Sequence, residues 1–443
     1  MQNKDSVNPM KVWPQKLKHF LTLFNTSEYH ALSILIIMVL ALHFATISTP
    51  KDAVFDEAYY VPAANSILHG LSLGRLEHPP LGQSIIASGI WLFGNNPFGW
   101  RFFSVIFGAV SLVFFYFICR ELMAPRYVAL FATSLLAVDS LSFVLSGLAM
   151  LDVFCLTFMF ASALFYLRSK PVWTGVFIGL AALSKLTGIF VLLFILLHWL
   201  FTKRKELKGL LITASISIFT FIGGLTLLDS LILRQWENPL VQIEVMLSNT
   251  MNLTFAHSDP SFLHPTRPWE WLYRLNGNES IAFDAAKAQF YNQLVLIINP
   301  AIWALIIPAV AFLTWFAFRK SNIAIFAMCW FSAVYMVWVP VSMVTGRLTY
   351  DYYFYPVVSA VCLGISLLFS RIQNLLTDNQ LLSSVIKIIA PLYLGVSILF
   401  FVFLYNPGNI WFRMSWAIIL FFVTLYFLEK FKIEKPIRDT SLS

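Results

Sequence analysis

Two pairs of ionisable residues lie in the segment 54–83, the polar interruption that follows the first long apolar run of the chain. Asp56 and Glu57 are adjacent carboxylates, and Glu77 stands beside His78, directly before two prolines. Because proline fixes its own φ and restricts the residue before it, we expect the second pair on a rigid, extended backbone. A carboxylate held in this way can take the proton of an attacking hydroxyl. The segment is therefore a candidate catalytic loop.

The composition predicts an integral membrane protein made of helices. Of 443 residues, 59% are hydrophobic and only 12% are charged, whereas a soluble domain carries about 25% charged residues. The apolar runs are continuous over about 20 residues, which favours spanning helices over the alternating strands of a barrel. The net charge of +8 is typical of basic cytoplasmic loops. No Lys/Arg cluster is interleaved with stacking aromatics, so we expect no nucleic-acid partner.

The alternation of apolar runs and basic clusters predicts about twelve transmembrane helices, with both termini in the cytoplasm. This topology divides the chain into an N-terminal module at 1–228 with a catalytic first outer loop at 50–100, a long extracytoplasmic loop at 229–292, and a C-terminal transmembrane module at 293–443. In the first loop we expect interfacial helices, one from near Tyr60 to before Gly70 and another over 85–93, which is too short to span.

Two spans have special features in this topology. One span is predicted over about 127–143. Residues 172–202 hold two short spans that meet at a hinge near 184–188, and each has only about 15 residues against the roughly 20 that a bilayer needs.

The predicted depth of the ionisable residues separates an enzyme from a transporter. A transporter places charged groups or broken helices at the bilayer midplane, and the sequence predicts neither. The ionisable residues predicted at or near the outer face are Asp56, Glu57, Glu77, His78, Arg101, Asp139, Asp152, Lys185, Asp229, His257, His264 and Arg347. Chemistry gathered at one interface suits a substrate with a lipid anchor.

If the leaving group is a lipid phosphate, cations must offset its developing charge. Arg101, Lys185 and Arg347 are the candidates, because arginine offers a bidentate fork and lysine a point charge. Aromatic residues over 350–355 could line a sugar or prenyl pocket.

Each of these residues also has a plain structural interpretation. The acidic pair could begin a solvated helix, Asp152 could cap one, and Lys185 could extend to the membrane surface. His257 and His264 could be ordinary loop histidines, and the late tyrosines an interfacial belt. From the residues alone, the sequence indicates an outer-face membrane enzyme or receptor.

Seven short motifs occur in one order along nearly the whole chain. They are Asp56-Glu57, Glu77-His78-Pro79-Pro80-Leu81-Gly82, Trp100-Arg101 with Phe107-Gly108, Leu151-Asp152, Ser184-Lys185-Leu186-Thr187-Gly188, His264-Pro265 with Pro268-Trp269 and Trp271, and Arg347 with Tyr352-Tyr353 and Pro356. Together they resemble the protein O-mannosyltransferase family, a group of polytopic glycosyltransferases with the GT-C fold. Leu186 stands where the family motif usually has tryptophan.

The resemblance implies an all-α polytopic membrane enzyme that moves a sugar, typically mannose, from a polyprenyl phosphate to Ser/Thr hydroxyls with inversion. It implies Asp56 as the base, with Glu57 in support, and Arg101, Lys185 and Arg347 at the lipid phosphate. The residues it implies for substrate binding are Glu77, His78, Arg101, Asp152, Lys185, His264, Trp269, Arg347, Tyr352 and Tyr353.

Two departures from the family pattern matter. The long loop is too short for the β-trefoil domain of eukaryotic members, which implies a bacterial or archaeal form in the plasma (inner) membrane, with its active site on the extracytoplasmic face. Glu77 before His78 also resembles the related aminoarabinose transferases, which act on lipid A. That likeness implies a divalent metal held by Glu77 and His264, or a lipid or glycan acceptor. A lipid-linked-sugar flippase and a non-catalytic scaffold are the alternatives from other classes.

Overall fold

The computed structural model of the chain is built almost entirely of helices. It describes residues 27–72, 74, 76–202, 207–255, 265–275, 296–375 and 380–404, together with 415, 418, 419 and 422. The α-helices are α1 (Ser27–Thr46), α2 (Glu57–Leu68), α3 (Pro80–Phe93), α4 (Pro97–Glu121), α5 (Arg126–Ala137), α6 (Ser140–Gly147), α7 (Leu151–Leu167), α8 (Pro171–Ser184), α9 (Phe190–Thr202), α10 (Leu207–Leu233), α11 (Pro239–Asn252), α12 (Pro300–Ala304), α13 (Ile306–Phe318), α14 (Asn322–Phe331), α15 (Trp338–Thr345), α16 (Tyr355–Leu375) and α17 (Gln380–Leu404). Short 3-10 turns cover Leu186–Ile189, Pro268–Leu272 and Asp351–Phe354, and a π turn covers Ser332–Met336.

Proline and asparagine determine where several of these helices begin. Proline occupies the first turn of α3, α4, α8, α11 and α12, where its missing N–H has no partner to lose and its fixed φ suits the helix. The side chains of Asn96, Asn238 and Asn299 accept backbone N–H groups at the starts of α4, α11 and α12. In the first outer loop, Pro79 is extended and Pro80 opens α3.

By length and apolar composition, five described segments are able to cross a membrane. They are Tyr29–Thr46, Pro97–Glu121, Leu207–Leu233, Asn322–Thr345 and Asp351–Ile372. The bent pair α5 and α6 adds a sixth if it counts as one span, and the other apolar helices have 10–17 residues. A polytopic helical membrane protein is thus confirmed. The number of about twelve spans stays a prediction, because most residues of the last predicted span lie outside the described residues.

The helix pair within 172–202 is confirmed, since α8 and α9 meet at Lys185 and the short turn that follows it. The span predicted over 127–143 is not one continuous helix, because α5 and α6 are separate helices bent by 64°. Asp139 lies at the break and accepts from the N–H and hydroxyl of Ser142 (2.8 and 2.7 Å) and from the N–H of Asn299 (2.8 Å). These hydrogen bonds hold the Asp139 carboxylate in place at the break, which indicates a structural role for it.

The long outer loop also begins later than predicted. Residues 229–233 belong to α10, so Asp229 is a helical residue, and 239–252 form α11 within the segment predicted as loop.

Close helix packing fixes the position of the end of α8 relative to the start of α7, where the candidate site lies. Helix α7 packs against α4 and α8, and α8 packs against α10. A Cβ at Gly179 would lie 2.5 Å from Thr220 Cβ, and one at Gly224 would lie 2.4 Å from Leu183 Cδ1. Only glycine allows α8 and α10 to approach this closely. The end of α8, where Lys185 follows, is therefore held rigidly beside the start of α7.

Candidate active site

Arg101 fastens the first outer loop to α4 from the inside. Its Nε and one Nη2 donor bond to the carboxylate of Glu57 (2.8 and 2.7 Å). The remaining donors bond to the carbonyl oxygens of Ile47, Pro50 and Asp52 (3.0, 2.8 and 3.3 Å). Arginine has five N–H donors, all are in use, and only 1% of the residue is exposed. This geometry favours a structural role for Arg101, and its predicted contact with the lipid phosphate stays a prediction.

Glu57 is the buried partner of that arginine. It is 0% exposed, and besides Arg101 its carboxylate accepts from the N–H groups of Ala149 (2.7 Å) and Val54 (3.1 Å). Charge and hydrogen-bonding capacity are satisfied inside the protein, so no part of the carboxylate can reach a substrate. These contacts tie the start of α2 to α4 and to the connection between α6 and α7, which favours a positioning role for Glu57, and its predicted catalytic role stays a prediction.

Asp56 points in a different direction from its neighbour. It is the residue before α2, where aspartate usually caps the first free N–H groups, yet that helix end has no side-chain cap within the described residues. Its Oδ2 accepts instead from the Tyr352 hydroxyl at 3.1 Å. Phe55 has a φ of 53°, which a bulky L-residue rarely adopts and which tends to persist at functional sites. The strained turn directs Asp56 towards the late tyrosines.

Lys185 and Asp152 form a pair at the junction of α7 and α8. Lys185 Nζ lies 2.8 Å from both carboxylate oxygens of Asp152. Lys185 is only 5% exposed, so it does not extend to the membrane surface, and Met150 rather than Asp152 is the cap of α7. The ammonium also faces the rings of Tyr352 and Tyr353, at 5.7 and 5.2 Å from their centroids. Two of its three donors are on Asp152, which leaves one for a ligand.

Three tyrosines connect Asp56 with the Lys185–Asp152 pair. Tyr350 and Tyr352 are stacked at 5.6 Å, and Tyr353 meets Tyr352 edge-on at 4.9 Å. Tyr352 reaches Asp56, and both Tyr352 and Tyr353 lie under Lys185. The structure thus places Asp152, Lys185, Tyr352 and Tyr353, which were all predicted from the sequence, in one group with Asp56.

Tyr60 is a further member that sequence reasoning missed. Its hydroxyl lies 3.1 Å from His78 Nε2, and the two rings meet edge-on. Burial raises the pKa of the Tyr60 phenol well above its usual range, and the nearby Asp56 carboxylate adds to the rise. The phenol is therefore a neutral donor at physiological pH. Its position four residues after Asp56, on the same helix face, was the available signal.

A small cavity of about 30 Å³ lies beside the Lys185–Asp152 pair. Its polar wall includes Thr187 and Tyr355, and its apolar wall is formed by Met159, Phe190, Val334, Trp338 and Pro356. A few convergent polar groups in an otherwise apolar cleft are typical of a ligand site. The Gly82 of the Pro-Pro-Leu-Gly motif allows the loop to fit here, since a Cβ would lie 2.9 Å from the Ser184 carbonyl oxygen.

Arg347 joins the long outer loop to this group. Its backbone pairs with Thr254 in an antiparallel bridge, and its guanidinium donates to the Thr250 carbonyl oxygen. The Thr250 hydroxyl in turn donates to the Glu77 carbonyl oxygen at 3.3 Å. Burial raises the pKa of the Tyr350 phenol, the charge of Asp56 adds to it, and Arg347 opposes it. Asp56 and Arg347 therefore both act on Tyr350, although their motifs lie far apart in sequence.

Two of the predicted residues are not placed in the group. Trp269 is 39% exposed and lies near Arg267, and it is not among the residues that line the cavity. His264 lies outside the described residues. Among the described residues no group of three His, Cys, Asp or Glu side chains could hold a metal, so the metal at Glu77 and His264 stays a prediction.

Comparison with known proteins also finds similarity to protein mannosyltransferases. Residues 77–225 match the family described as dolichyl-phosphate-mannose-protein mannosyltransferase. The polyprenol-phosphate-mannose–protein mannosyltransferase of Mycobacterium tuberculosis is 25% identical over 417 residues, covering 75% of this chain and 78% of the relative. That of Mycolicibacterium smegmatis is 37% identical over 128 residues, so the match spans 27% of this chain and only 25% of that enzyme.

Two solved structures share the fold. The Saccharomyces cerevisiae protein O-mannosyltransferase Pmt1-Pmt2 complex bound to the sugar donor has a TM-score of 0.67 at 11% identity, covering 86% of this chain and 90% of that one. ArnT from Cupriavidus metallidurans bound to undecaprenyl phosphate has a TM-score of 0.55 at 17% identity, covering 90% and 77%. The chain therefore shares its fold with these two membrane proteins. The chain is thus similar to a protein mannosyltransferase family over residues 77–225, and to the curated protein mannosyltransferases of Corynebacterium glutamicum and Mycobacterium tuberculosis over most of its length.

Proposed function

We propose that the protein is an inverting glycosyltransferase that moves mannose from a polyprenyl phosphate to Ser/Thr hydroxyls of proteins. The observation that carries the proposal is the placement of Asp56, which is turned away from its own helix and towards the tyrosine group beside Lys185. The names of the curated relatives support the donor and the acceptor class.

Asp56 is the general base in this proposal. It takes the proton of the acceptor hydroxyl as the hydroxyl oxygen bonds to the anomeric carbon. The bond from that carbon to the phosphate oxygen breaks at the same time, and the electron pair leaves with the polyprenyl phosphate. Attack and departure on opposite faces of the ring invert the configuration. The Tyr352 hydroxyl supports Asp56 by holding its second oxygen in place.

Lys185 and Arg347 are the proposed partners of the leaving phosphate. Lys185 lies on the cavity wall with one donor left over from Asp152, and a preorganised cation in a buried site stabilises developing negative charge strongly. Arg347 uses part of its fork on the Thr250 carbonyl oxygen and retains further donors. Arg101 is left out of this role in the proposal, because its donors are used by internal bonds.

The prenyl tail is proposed to follow α9 away from the cavity. Phe190 at the start of α9 lines the cavity, and Leu197 and Phe201 further along the helix line an apolar groove shared with α13 and α14. A phosphate site near the start of α9, with an apolar groove further along the same helix, matches an amphipathic lipid donor. The proposal places the active site on the extracytoplasmic face of a prokaryotic plasma membrane, on the strength of the basic residues predicted at the other end.

The test uses the purified protein with labelled polyprenyl-phosphate mannose and three acceptors. A Ser/Thr peptide, a lipid A-type glycolipid and buffer alone are compared, with peptide-borne label expected only in the first. Label on the glycolipid and none on the peptide would favour the aminoarabinose-transferase-like alternative. Movement of intact donor across vesicles without any transfer would support a flippase and contradict the proposal.

A further inference from the structure

A second cavity lies at the opposite end of α7 and α8 from the candidate active site. It has a volume of about 340 Å³ and is lined by residues from the α7–α8 connection, α9 and the start of α10. Asp152 stands near the start of α7 and Tyr166 near its end. At about 1.5 Å of rise per residue, about 20 Å separates the two sites, so this cavity is not part of the catalytic group.

Two lysines from different helices line this cavity. Lys170 precedes α8 and Lys208 lies in the first turn of α10, and both are exposed. Neither has an ion-pair partner among the described residues. No carboxylate of the described residues lines the cavity between the two ammonium groups, and like charges on one cavity repel each other unless an anion binds there. The charge pattern therefore favours an anionic ligand.

A buried donor belongs to a residue that lines the same cavity. Trp199 lines the cavity, and its Nε1–H is buried without a hydrogen-bond partner in the part of the chain that the structure describes. Indole can only donate, and a buried donor without an acceptor is unfavourable. An oxygen atom of a bound ligand would satisfy it. The rest of the lining is largely apolar and includes Ile195 and Leu210.

The turn at Ser169 gives the cavity one more hydroxyl. Ser169 has a φ of 55°, and the N–H of Lys170 bonds to the Phe165 carbonyl oxygen at 3.0 Å. This is a helix-ending turn whose left-handed position is normally occupied by glycine. In this chain serine occupies that position, and its side chain lines the cavity.

We propose that this cavity binds a phosphate group, held by Lys170 and Lys208 at the rim and by the Trp199 indole N–H within. The phosphate is carried by an anionic phospholipid headgroup or is free in solution. Basic pockets between membrane helices bind anionic headgroups in this way, and the apolar lining suits the upper acyl chains of such a lipid.

The test is native mass spectrometry of the purified full chain in detergent. Short-chain phosphatidylglycerol, phosphatidylcholine and inorganic phosphate are titrated separately. The variants are Lys170→Gln with Lys208→Gln, Trp199→Phe and Ser169→Gly. The control is Arg126→Gln, which removes a charge at the same end of the bundle but outside the cavity.

The double lysine variant is expected to bind phosphatidylglycerol or phosphate about tenfold more weakly, and Trp199→Phe more weakly to a smaller degree. The control, and phosphatidylcholine binding, should not change. Loss for phosphatidylglycerol alone assigns a lipid headgroup, and loss for phosphate alone assigns a soluble ligand. The proposal would be overturned if the wild type, the double lysine variant and Trp199→Phe bound both anionic probes with equal affinity. Ser169→Gly and Trp199→Phe preserve the turn and the ring, so they decide the matter even if the double variant does not fold.

Discussion

The Tyr352 hydroxyl donates to Asp56 Oδ2 at 3.1 Å, across 296 positions of the chain. This contact joins the first outer loop to the loop before α16, and it places a carboxylate beside the ring that Lys185 faces. This hydrogen bond thus joins the two halves of the sequence at the candidate site.

We predict that Tyr352→Phe lowers the turnover number by about tenfold, since a hydrogen bond to a charged group contributes about 1.5–3 kcal/mol. The donor KM should change little, because the ring that faces Lys185 is kept. Steady-state kinetics with varied donor measure this split. Tyr393→Phe, which removes a phenol bond to the Ala301 carbonyl oxygen away from the site, is the matched control. An unchanged turnover number in Tyr352→Phe would remove Tyr352 from the account.

Arg101→Gln is predicted to destabilise the protein rather than to weaken donor binding. Breaking a buried ion pair by removing one partner costs about 3–5 kcal/mol, because the other charge stays buried. Thermal unfolding in detergent should show a lower Tm, with partial recovery in Arg101→Gln combined with Glu57→Gln. A normal Tm with a raised donor KM would instead restore Arg101 as a phosphate ligand.

Lys185→Met and Asp152→Asn are predicted to act as one unit. Each should lower kcat/KM for the donor by about 10²-fold, as the loss of one preorganised stabilising group does. The double variant should be no worse than the worse single variant, because each change disrupts the same pair. Multiplicative losses in the double variant would show that the two side chains act independently.

Arg347→Ala is expected to raise the donor KM by about tenfold while the acceptor KM stays the same, because its proposed partner is the phosphate. Arg274→Ala serves as control, since Arg274 is exposed and paired with Glu270 in the same outer region. An unchanged donor KM, or an effect on the acceptor alone, would count against the assignment.

The motifs located the site better than they assigned its roles. Asp56 and Glu57 are adjacent and chemically alike, and nothing in the sequence indicates that the strained φ of Phe55 directs them apart. Successive helical residues are about 100° apart around the axis, so one carboxylate reaches the tyrosine group and the other is buried on Arg101. Arg101 was assigned to phosphate on charge alone, because its three carbonyl partners carry no side-chain signal.

Tertiary contacts also decided the helix pattern. The apolar run over 127–143 is continuous enough to predict one span, yet Asp139 draws donors from Ser142 and from Asn299, about 160 residues away, and the helix breaks there. The hinge at Lys185 was predictable because a charged residue and Gly188 interrupt a short apolar run.

The central claim is that Asp56 takes the acceptor proton, and the most direct test is a single-turnover assay of Asp56→Asn with donor already bound. Asp52→Asn is the control, since it removes an exposed carboxylate from the same loop. The account predicts normal donor binding by Asp56→Asn with transfer slowed about 10²–10⁴-fold, and a wild-type rate for Asp52→Asn. Transfer by Asp56→Asn at the wild-type rate would contradict it.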